Sequence, residues 1–433
     1  MFRFQMILLS FFSLAVAIVG QNSPDPSQIA ERTQLLLDQC MAAEDFVGVS
    51  VGIATADQVV WTDGAGYRNL AAKAAANADM LHRIASITKP MTAVAILQLV
   101  EKGHLDLDVP IQEYLPSFPK KKEGDITIRH LLTHTSGVPA YKSAKEFTTQ
   151  VYYPRMKDAL EVFQDRKLRF TPGEGFQYTT YGYTILGAII EEVTGDTYQD
   201  YMKVNVWGPA GMIKTDIEET GKEYYNKARL YKREKWGAFD KDINDILSVK
   251  YAGGGLHSTA GDLLRFGQAI LNGTLLSESS LELMQEIPPI DRGGNTPYGM
   301  GWYIRDDKKY GRILRHGGSQ SGTSTYFSIY LDHDVITTVI SNTANTGGEV
   351  YRLNDQIGQL LLDSNAFSQP VRTIVQLSEQ ELDRFVGTYL FSEDTEVKII
   401  RREDQLWRIF KGSEPVRLYP ISPTEIAARL LPW

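Results

Sequence analysis

The sequence predicts an α+β fold, with one mostly antiparallel sheet flanked by helices and a separate helical lobe. Strand patterns lie at both ends of the main region, and helical patterns lie between them. Apolar residues alternate over 47–54, Asp57-Gln58 marks a turn, and the apolar run resumes at 59–61, as in a β-hairpin. Further strand patterns follow at 301–305, 312–315, 325–331 and 335–340. One sheet must therefore collect strands from both ends of this region.

Helical patterns account for most of the residues between the two groups of strands. Ser86 begins a nearly all-apolar helix that Gly103 ends, which indicates burial on every side. Thr259 and Asp262 have the spacing of a capping pair at the start of another helix, which Gly273 ends. The other predicted helices lie at 28–45, at 127–133 with Thr127 as N-cap, at 183–193 and near 350–363.

The chain divides into three predicted parts. Residues 1–20 form a signal peptide, residues 24–365 the main domain, and residues 378–433 a small β-rich C-terminal appendix. A polar stretch around 364–370 separates the last two parts, and the appendix contains a hairpin pattern near residues 397–410.

The signal peptide is predicted from the organisation of the first twenty residues. Arg3 supplies a positive start, Met6–Gly20 is almost wholly apolar, and Ala15 and Ala17 form the small-residue pattern of a cleavage site. The apolar run is too short for a comfortable membrane span. We expect a secreted or periplasmic protein whose mature chain begins within residues 18–21 and has no stable membrane span. An uncleaved N-terminal anchor is the alternative.

Charge and composition narrow the class of partner. The chain of 433 residues has a net charge of −8, whereas a nucleic-acid-binding protein usually carries a basic stripe. Cys40 is the only cysteine, so no intrachain disulfide can form. We expect a small-molecule or peptide substrate, no nucleic acid and no cofactor, and the sequence leaves the oligomeric state open.

The candidate nucleophile is Ser86, which begins the S-x-x-K motif of residues 86–89. Residues three apart on a helix share a face, so Ser86 and Lys89 should be neighbours. Burial in an apolar helix lowers the pKa of a lysine and makes Lys89 a plausible proton acceptor for the serine. The alternative interpretation is an N-cap serine followed by a solvated lysine.

Two later segments add polar groups in a suitable order. Tyr178-Thr179-Thr180 precedes a predicted helix, and His316-Gly317-Gly318-Ser319 follows a predicted strand. The glycines allow the backbone to approach a ligand closely. Taken singly, the tyrosine is more often a packing residue and the glycine pair more often a turn.

Together these segments resemble the penicillin-binding and class C β-lactamase-like family over about residues 28–363. The segments that carry the resemblance are Ile84–Pro90, 130–137, Tyr178–Gly187, 252–259, 298–302 and 316–318. Residues 178–183 and 226–231 resemble the subgroup formed by the mitochondrial serine β-lactamase-like protein of animals and its bacterial relatives. The appendix resembles a small β-barrel found in many bacterial relatives, but it is short for a closed barrel.

The resemblance implies the serine β-lactamase and penicillin-binding fold and a role for each matched residue. Ser86 would attack a carbonyl and form an acyl-enzyme, while Lys89 and Tyr178 would share its proton. The backbone N–H groups of Ser86 and Ser319 would form the oxyanion hole. His316 occupies the place where many relatives carry the lysine of a K-T-G motif. A nearby ammonium should also lower the pKa of Tyr178 below its usual value of about 10.

Two departures from the family pattern affect the expected substrate. Thr180 replaces the asparagine of Y-x-N, and Gly317, just before Gly318, replaces a threonine whose hydroxyl meets a substrate carboxylate. The loss of the K-T-G lysine, at His316, and of the threonine hydroxyl, at Gly317, weakens carboxylate recognition. Peptide, amide or ester hydrolysis is therefore expected rather than efficient β-lactam hydrolysis. The alternatives are a non-catalytic penicillin-binding-like receptor or scaffold, and a true β-lactamase or D-Ala-D-Ala carboxypeptidase.

Two other patterns have simpler interpretations. Gly48-Val-Ser50-Val-Gly52 matches the G-x-S-x-G elbow, but Ser50 lies inside a predicted strand rather than at a strand-to-helix turn. His130 and His134 have zinc-ligand spacing, but Leu131 stands where H-E-x-x-H has its glutamate. No metal site is expected, and His134 should support the loop that follows it.

Overall fold

The computed structural model describes residues 26–290, 297–363, 365–366, 372–392 and 395–428. The predicted signal peptide and its cleavage region therefore lie outside the described residues. The helices are α1 Pro26–Ala42, α2 Thr88–Glu101, α3 Ile128–Leu132, α4 Ala144–Phe147, α5 Thr180–Thr194, α6 Tyr198–Met202, α7 Tyr251–Gly254, α8 Ala260–Leu271, α9 Glu278–Met284, α10 Gly347–Leu362 and α11 Glu379–Asp383. The strands are β1 Gly48–Thr55, β2 Val59–Asn69, β3 Ala74–Ala75, β4 His82–Arg83, β5 Asp216–Ile217, β6 Tyr231–Arg233, β7 Phe239–Lys241, β8 Leu256–Ser258, β9 Tyr303–Asp307, β10 Gly311–Gln320, β11 Thr323–Tyr330, β12 Val335–Ser341, β13 Thr343–Ala344, β14 Gly387–Ser392, β15 Thr395–Arg402, β16 Gln405–Phe410, β17 Val416–Ser422 and β18 Glu425–Ala427.

The central element is a seven-stranded sheet in the order β3-β2-β1-β12-β11-β10-β9. Every neighbouring pair in it is antiparallel, and β1 from the start of the chain pairs directly with β12, with Val51 opposite Val339. The predicted α+β class, with one sheet built from both ends of the main region, is confirmed.

Helices cover both faces of this sheet. Val49, Val51 and Ile53 on one face of β1 pack into a core that also holds buried residues of α1 and α10. On the other face, a β-carbon on Gly52 would lie only 2.8 Å from the side chain of Leu264 in α8. That second face joins the larger core, which includes α2 and α5 of the helical lobe. Because successive side chains of β1 point to opposite faces of the sheet, this strand contributes to the core on each face.

Capping residues determine where several helices begin. The Thr259 side chain accepts a hydrogen bond from the backbone of Asp262, as its sequence pattern predicts. Helix α5 begins at Thr180, three residues before the predicted start, because Thr179 acts as its N-cap. Its first turn contains polar and small residues, so apolar periodicity does not detect it. Helix α2 begins at Thr88, after a 3₁₀ turn over Ala85–Ile87.

The C-terminal residues form a separate five-stranded sheet, β14 to β18, with α11 beside it. Leu382, Ile399, Leu406 and Leu418 form its small core. Strands β14 and β18 are at opposite edges of this sheet, which is open within the described residues. None of the described helices combines the length and the apolar character needed to cross a membrane.

Candidate active site

The candidate nucleophile lies in the 3₁₀ turn just before α2. Ala85, directly before Ser86, has a φ of 48°, a left-handed conformation that is rare for residues other than glycine. Strand β10 presses against this turn at Gly318, where a β-carbon would lie 2.6 Å from the Ile84 carbonyl oxygen and 2.3 Å from Thr325 Oγ1. A glycine at 318 is therefore needed to bring the strand against the nucleophile.

Lys89 lies directly beneath the serine. Its Nζ is 3.0 Å from Ser86 Oγ, 2.6 Å from the Gly253 carbonyl oxygen and 3.4 Å from Thr180 Oγ1. The side chain is fully buried, so the alternative of a solvated lysine does not describe this residue. Burial, and then the positive charge of Lys250, hold the pKa of Lys89 well below its usual value. A neutral amine next to the serine can accept its proton.

Tyr178 completes a triangle with Ser86 and Lys89. Its hydroxyl hydrogen-bonds Ser86, and Lys89 Nζ lies 4.8 Å from the centre of its ring. Burial raises the pKa of Tyr178 well above its usual value, and the hydrogen bond with Ser86 only partly opposes this. The prediction that Lys89 lowers this pKa is therefore wrong in direction, because burial dominates and the lysine itself disfavours its charged form. The phenol stays protonated and can donate a proton.

His316 uses both of its ring nitrogens within the protein. Nδ1 lies 2.7 Å from the Gly317 carbonyl oxygen, which can only accept, so Nδ1 carries the hydrogen. Nε2 then accepts from the Tyr298 hydroxyl at 3.1 Å. Burial, followed by the charge of Lys89, lowers the pKa of His316 to about 3. His316 is therefore neutral, and its Nε2 orients the Tyr298 hydroxyl.

These residues meet at a cleft of about 510 Å³. The sequence-predicted residues that line it are Ser86, Tyr178, His316, Gly317, Gly318 and Ser319. Lys89 and Thr180 lie beneath the cleft and contact each other. Sequence analysis missed the five other lining residues, Tyr303, Arg315, Thr325, Tyr326 and Gly347. The position of Arg315 directly before His316 is the one signal that could have found any of them.

The two histidines with zinc-ligand spacing serve the structure. The His130 ring accepts from the backbone of Thr127 and completes a capping box at the start of α3. The His134 Nδ1 accepts from the backbone of Thr179 at 3.3 Å, and its ring packs 4.3 Å from that of Tyr178. Within the described ranges, no group of three or more His, Cys, Asp or Glu side chains could hold a metal ion.

Ser50 of the G-x-S-x-G pattern lies inside β1 and is fully buried. Its hydroxyl lies 2.8 Å from His82 Nε2 and donates to the Asn77 carbonyl oxygen at 2.9 Å. The distance between Ser50 and His82 is that of a serine–histidine dyad. The pair is fully buried, so no substrate can reach it.

The fold and the site together define a protein of the β-lactamase and penicillin-binding class. Residues 34–362 match the Beta-lactamase family, and the chain belongs to that family. The family resemblance predicted from the sequence motifs is confirmed.

Individual relatives agree with this assignment. Penicillin-binding protein 4* of Bacillus subtilis (strain 168) is 27% identical over 425 residues, which cover 92% of this chain and 91% of that protein. The mitochondrial serine beta-lactamase-like protein LACTB of Homo sapiens is 28% identical over 410 residues, covering 74% of this chain and 75% of that protein. A solved structure of D-amino acid amidase from Ochrobactrum anthropi SV3, complexed with D-phenylalanine, has a TM-score of 0.65 and 25% identity, covering 78% of this chain and 99% of that one.

Proposed function

We propose that this protein is a serine hydrolase that forms an acyl-enzyme on Ser86 and cleaves a peptide, amide or ester bond. The observation that carries the proposal is the 3.0 Å contact between Lys89 Nζ and Ser86 Oγ. The lysine is fully buried, and burial holds its pKa well below the usual value. A neutral amine at this distance can remove the serine proton as the oxygen attacks a carbonyl carbon.

Acylation assigns one task to each group. Ser86 Oγ bonds to the substrate carbonyl carbon while its proton passes to Lys89. The backbone N–H groups of Ser86 and Ser319 receive the negative charge on the carbonyl oxygen. The Tyr178 hydroxyl donates a proton to the leaving alcohol or amine and takes one from the Lys89 ammonium. The serine proton thus ends on the leaving group, and the lysine is neutral again.

Deacylation reverses these roles with water as the nucleophile. Water attacks the acyl-serine ester, and Lys89 and Tyr178 take its proton and return one to Ser86 Oγ. The products are a carboxylic acid and the original serine. Both steps need a neutral lysine and a protonated tyrosine at the start, which is the pairing that burial favours here.

The proposed bond is an amide or ester rather than a β-lactam. Thr180 reaches Lys89 only at 3.4 Å, and Gly317 has no hydroxyl to offer a substrate. The name of the structural relative from Ochrobactrum anthropi, a D-amino acid amidase, supports an amide substrate.

Replacement of the nucleophile tests this proposal. Ser86→Ala should lose on the order of 10⁴-fold or more in turnover of a chromogenic ester, because covalent catalysis is removed. A fluorophosphonate probe followed by mass spectrometry should label Ser86 in the unmodified protein. Ser50→Ala is the matched control and should keep both activity and labelling. Full activity in Ser86→Ala would overturn the assignment, and a labelled Ser86 without turnover of any substrate would favour the receptor alternative.

We also propose that the protein is exported to the periplasm or secreted. The proposal is supported by the positive start, apolar run and small-residue pattern of the first twenty residues. N-terminal sequencing of the protein from its native host should find a start within residues 18–21. A chain that begins at Met1 or Phe2 in a soluble cytoplasmic fraction would contradict export.

A further inference from the structure

Arg315 lines the same cleft as Ser86 but has no acidic partner. Within the described residues, no carboxylate oxygen lies within 4 Å of its guanidinium, whereas Arg305 and Arg312 nearby pair with Asp307 and Asp306. Its Nε is buried without a hydrogen-bond partner, and its NH1 makes a long contact of 3.5 Å with the Tyr351 hydroxyl. A buried Nε–H group without a hydrogen-bond partner is unfavourable.

The surroundings of Arg315 balance its positive charge only weakly, through the Tyr351 ring, whose centre lies 5.8 Å from the guanidinium carbon. Arg315 lies directly opposite Tyr303 in the pairing of β9 with β10. Burial raises the pKa of Tyr303 and also that of Tyr326, the latter to about 12, and the Arg315 charge opposes the rise at both rings. The guanidinium therefore lies close to two neutral phenols. The Asp355 carboxylate feels this charge too, but it is already 3.4 Å from the guanidinium of Arg305.

Gly317 lines the same cleft as Ser86 and Arg315 and has no side chain to fill it. Alternate residues of a strand share a face, so Arg315 and Gly317 lie on the same face of β10. A β-carbon on Gly317 would lie 3.2 Å from the Tyr326 ring, so that tyrosine forms the floor at this point. The cleft is therefore lined both by Ser86 and by Arg315 with its two tyrosines, Tyr303 and Tyr326.

We infer that Arg315 binds a carboxylate of the substrate, so that the substrates are amides or esters that carry a carboxylate away from the bond that is cleaved. The planar fork of an arginine matches the two oxygens of a carboxylate, and such charge-assisted pairs are among the stronger hydrogen bonds in proteins. The inference rests on the proposed function of Ser86. It revises the expectation that the loss of a threonine at 317 and a lysine at 316 weakens carboxylate recognition, because the adjacent arginine supplies it instead. Thr180, which reaches Lys89 only at 3.4 Å, then remains the feature that disfavours a β-lactam.

Matched pairs of esters test this inference. In the first pair, the acyl group of one ester ends in a free carboxylate and that of the other ends in the corresponding methyl ester. In the second pair, the same two end groups are placed on the leaving group. We expect the unmodified protein to prefer the free carboxylate in at least one pair by about 10-fold or more in kcat/KM. Arg315→Gln should remove most of that preference, since a hydrogen bond to a charged group accounts for about 10-fold or more, and Arg315→Lys should restore part of it. Arg312→Gln, on the same strand and paired with Asp306, is the matched control and should keep the preference.

The outcomes separate this inference from the proposed function. If Ser86 is labelled by the uncharged fluorophosphonate and both esters are cleaved without a carboxylate preference, Arg315 has no such role while the hydrolase assignment stands. The same holds if Arg315→Gln folds, with an unaltered melting temperature, and keeps the preference. If no ester is cleaved, calorimetric binding of the free carboxylate and its methyl ester decides the matter. A binding difference that Arg315→Gln removes supports the site without catalysis, and no difference overturns it.

Discussion

At the scale of single residues, burial decides which group gives a proton and which takes one. Lys89 and Tyr178 are both neutral, because burial lowers the pKa of the lysine and raises the pKa of the tyrosine. The motifs alone led to the reverse expectation for Tyr178, since a motif reveals a nearby lysine but not how deeply the ring is buried. The neutral pair makes Lys89 the base and Tyr178 the acid.

Tyr178→Phe tests the role of the phenol as an acid. The phenylalanine ring keeps the packing against His134, whose ring centre is 4.3 Å away, so the melting temperature should change little. Turnover of an amide should fall by roughly 10²–10⁴, as expected when a general acid is lost. An ester with a strongly acidic phenol as its leaving group needs little protonation and should lose less. Unchanged turnover, or an equal loss for both substrates, would contradict the acid role.

At the scale of helices and strands, the sequence predicts elements better than the contacts between them. Apolar patterns and capping residues locate α2, α8 and the β1–β2 hairpin, and motifs locate Ser86 and Lys89. Arg315 and Tyr303 were missed because the pairing of β9 with β10 makes them neighbours, and no local pattern records that pairing. Strand β10 extends to Gln320, beyond the predicted end at 315, because its glycine pair looks like a turn in the sequence.

Lys250 is a further residue that only the tertiary structure reveals. Its Nζ lies 2.8 Å from Asp245 Oδ2 and donates to the Phe147 carbonyl oxygen at 2.7 Å. Helix α7 follows directly, and its Gly253 carbonyl oxygen lies 2.6 Å from Lys89 Nζ. The same segment therefore supplies a positive charge near Lys89 and a hydrogen-bond acceptor for it.

Lys250→Met should shift the pH dependence of catalysis. The Lys250 charge contributes, after burial, to the low pKa of Lys89, so its removal should raise that pKa. The base is active when Lys89 is neutral, and activity is lost as the pH falls through its pKa. The acidic limb of the kcat/KM profile should therefore move to higher pH. Lys227→Met is the control, because it removes a lysine that pairs with Glu218. The acidic limb of the kcat/KM profile should not move in this variant. An unshifted limb in Lys250→Met would contradict this account.

At the scale of the whole molecule, buried ionisable groups of opposite sign set the stability at different pH. Burial lowers the pKa of His82 to about 3, and burial followed by Lys89 lowers the pKa of His316 to about 3. Burial also raises the pKa of Asp45 to about 7, against the charge of Arg233. The histidines resist protonation in the folded protein while Asp45 resists ionisation, so their contributions to stability change with pH in opposite directions.

The histidines should make the protein less stable in mild acid. An unfolded histidine binds a proton below about pH 6.5, whereas folded His82 does so only near pH 3. Its contribution is complete above pH 6.5 and is lost as the pH falls from there towards 3, by about 2 kcal/mol at pH 5. Asp45 acts in the opposite sense, because the unfolded carboxyl ionises above about pH 4 whereas the folded one, with a pKa of about 7, does so only near neutrality. Its contribution to stability is therefore lost as the pH rises from about 4 to about 7. Urea unfolding at pH 7 and pH 5 should show that His82→Gln loses about 2 kcal/mol less free energy of unfolding between these pH values than the unmodified protein does.

His104→Gln, at an exposed position, is the control and should lose as much free energy of unfolding as the unmodified protein. Equal losses in all three proteins would mean that His82 takes up its proton in the folded state, and the neutral contact with Ser50 would have to be abandoned.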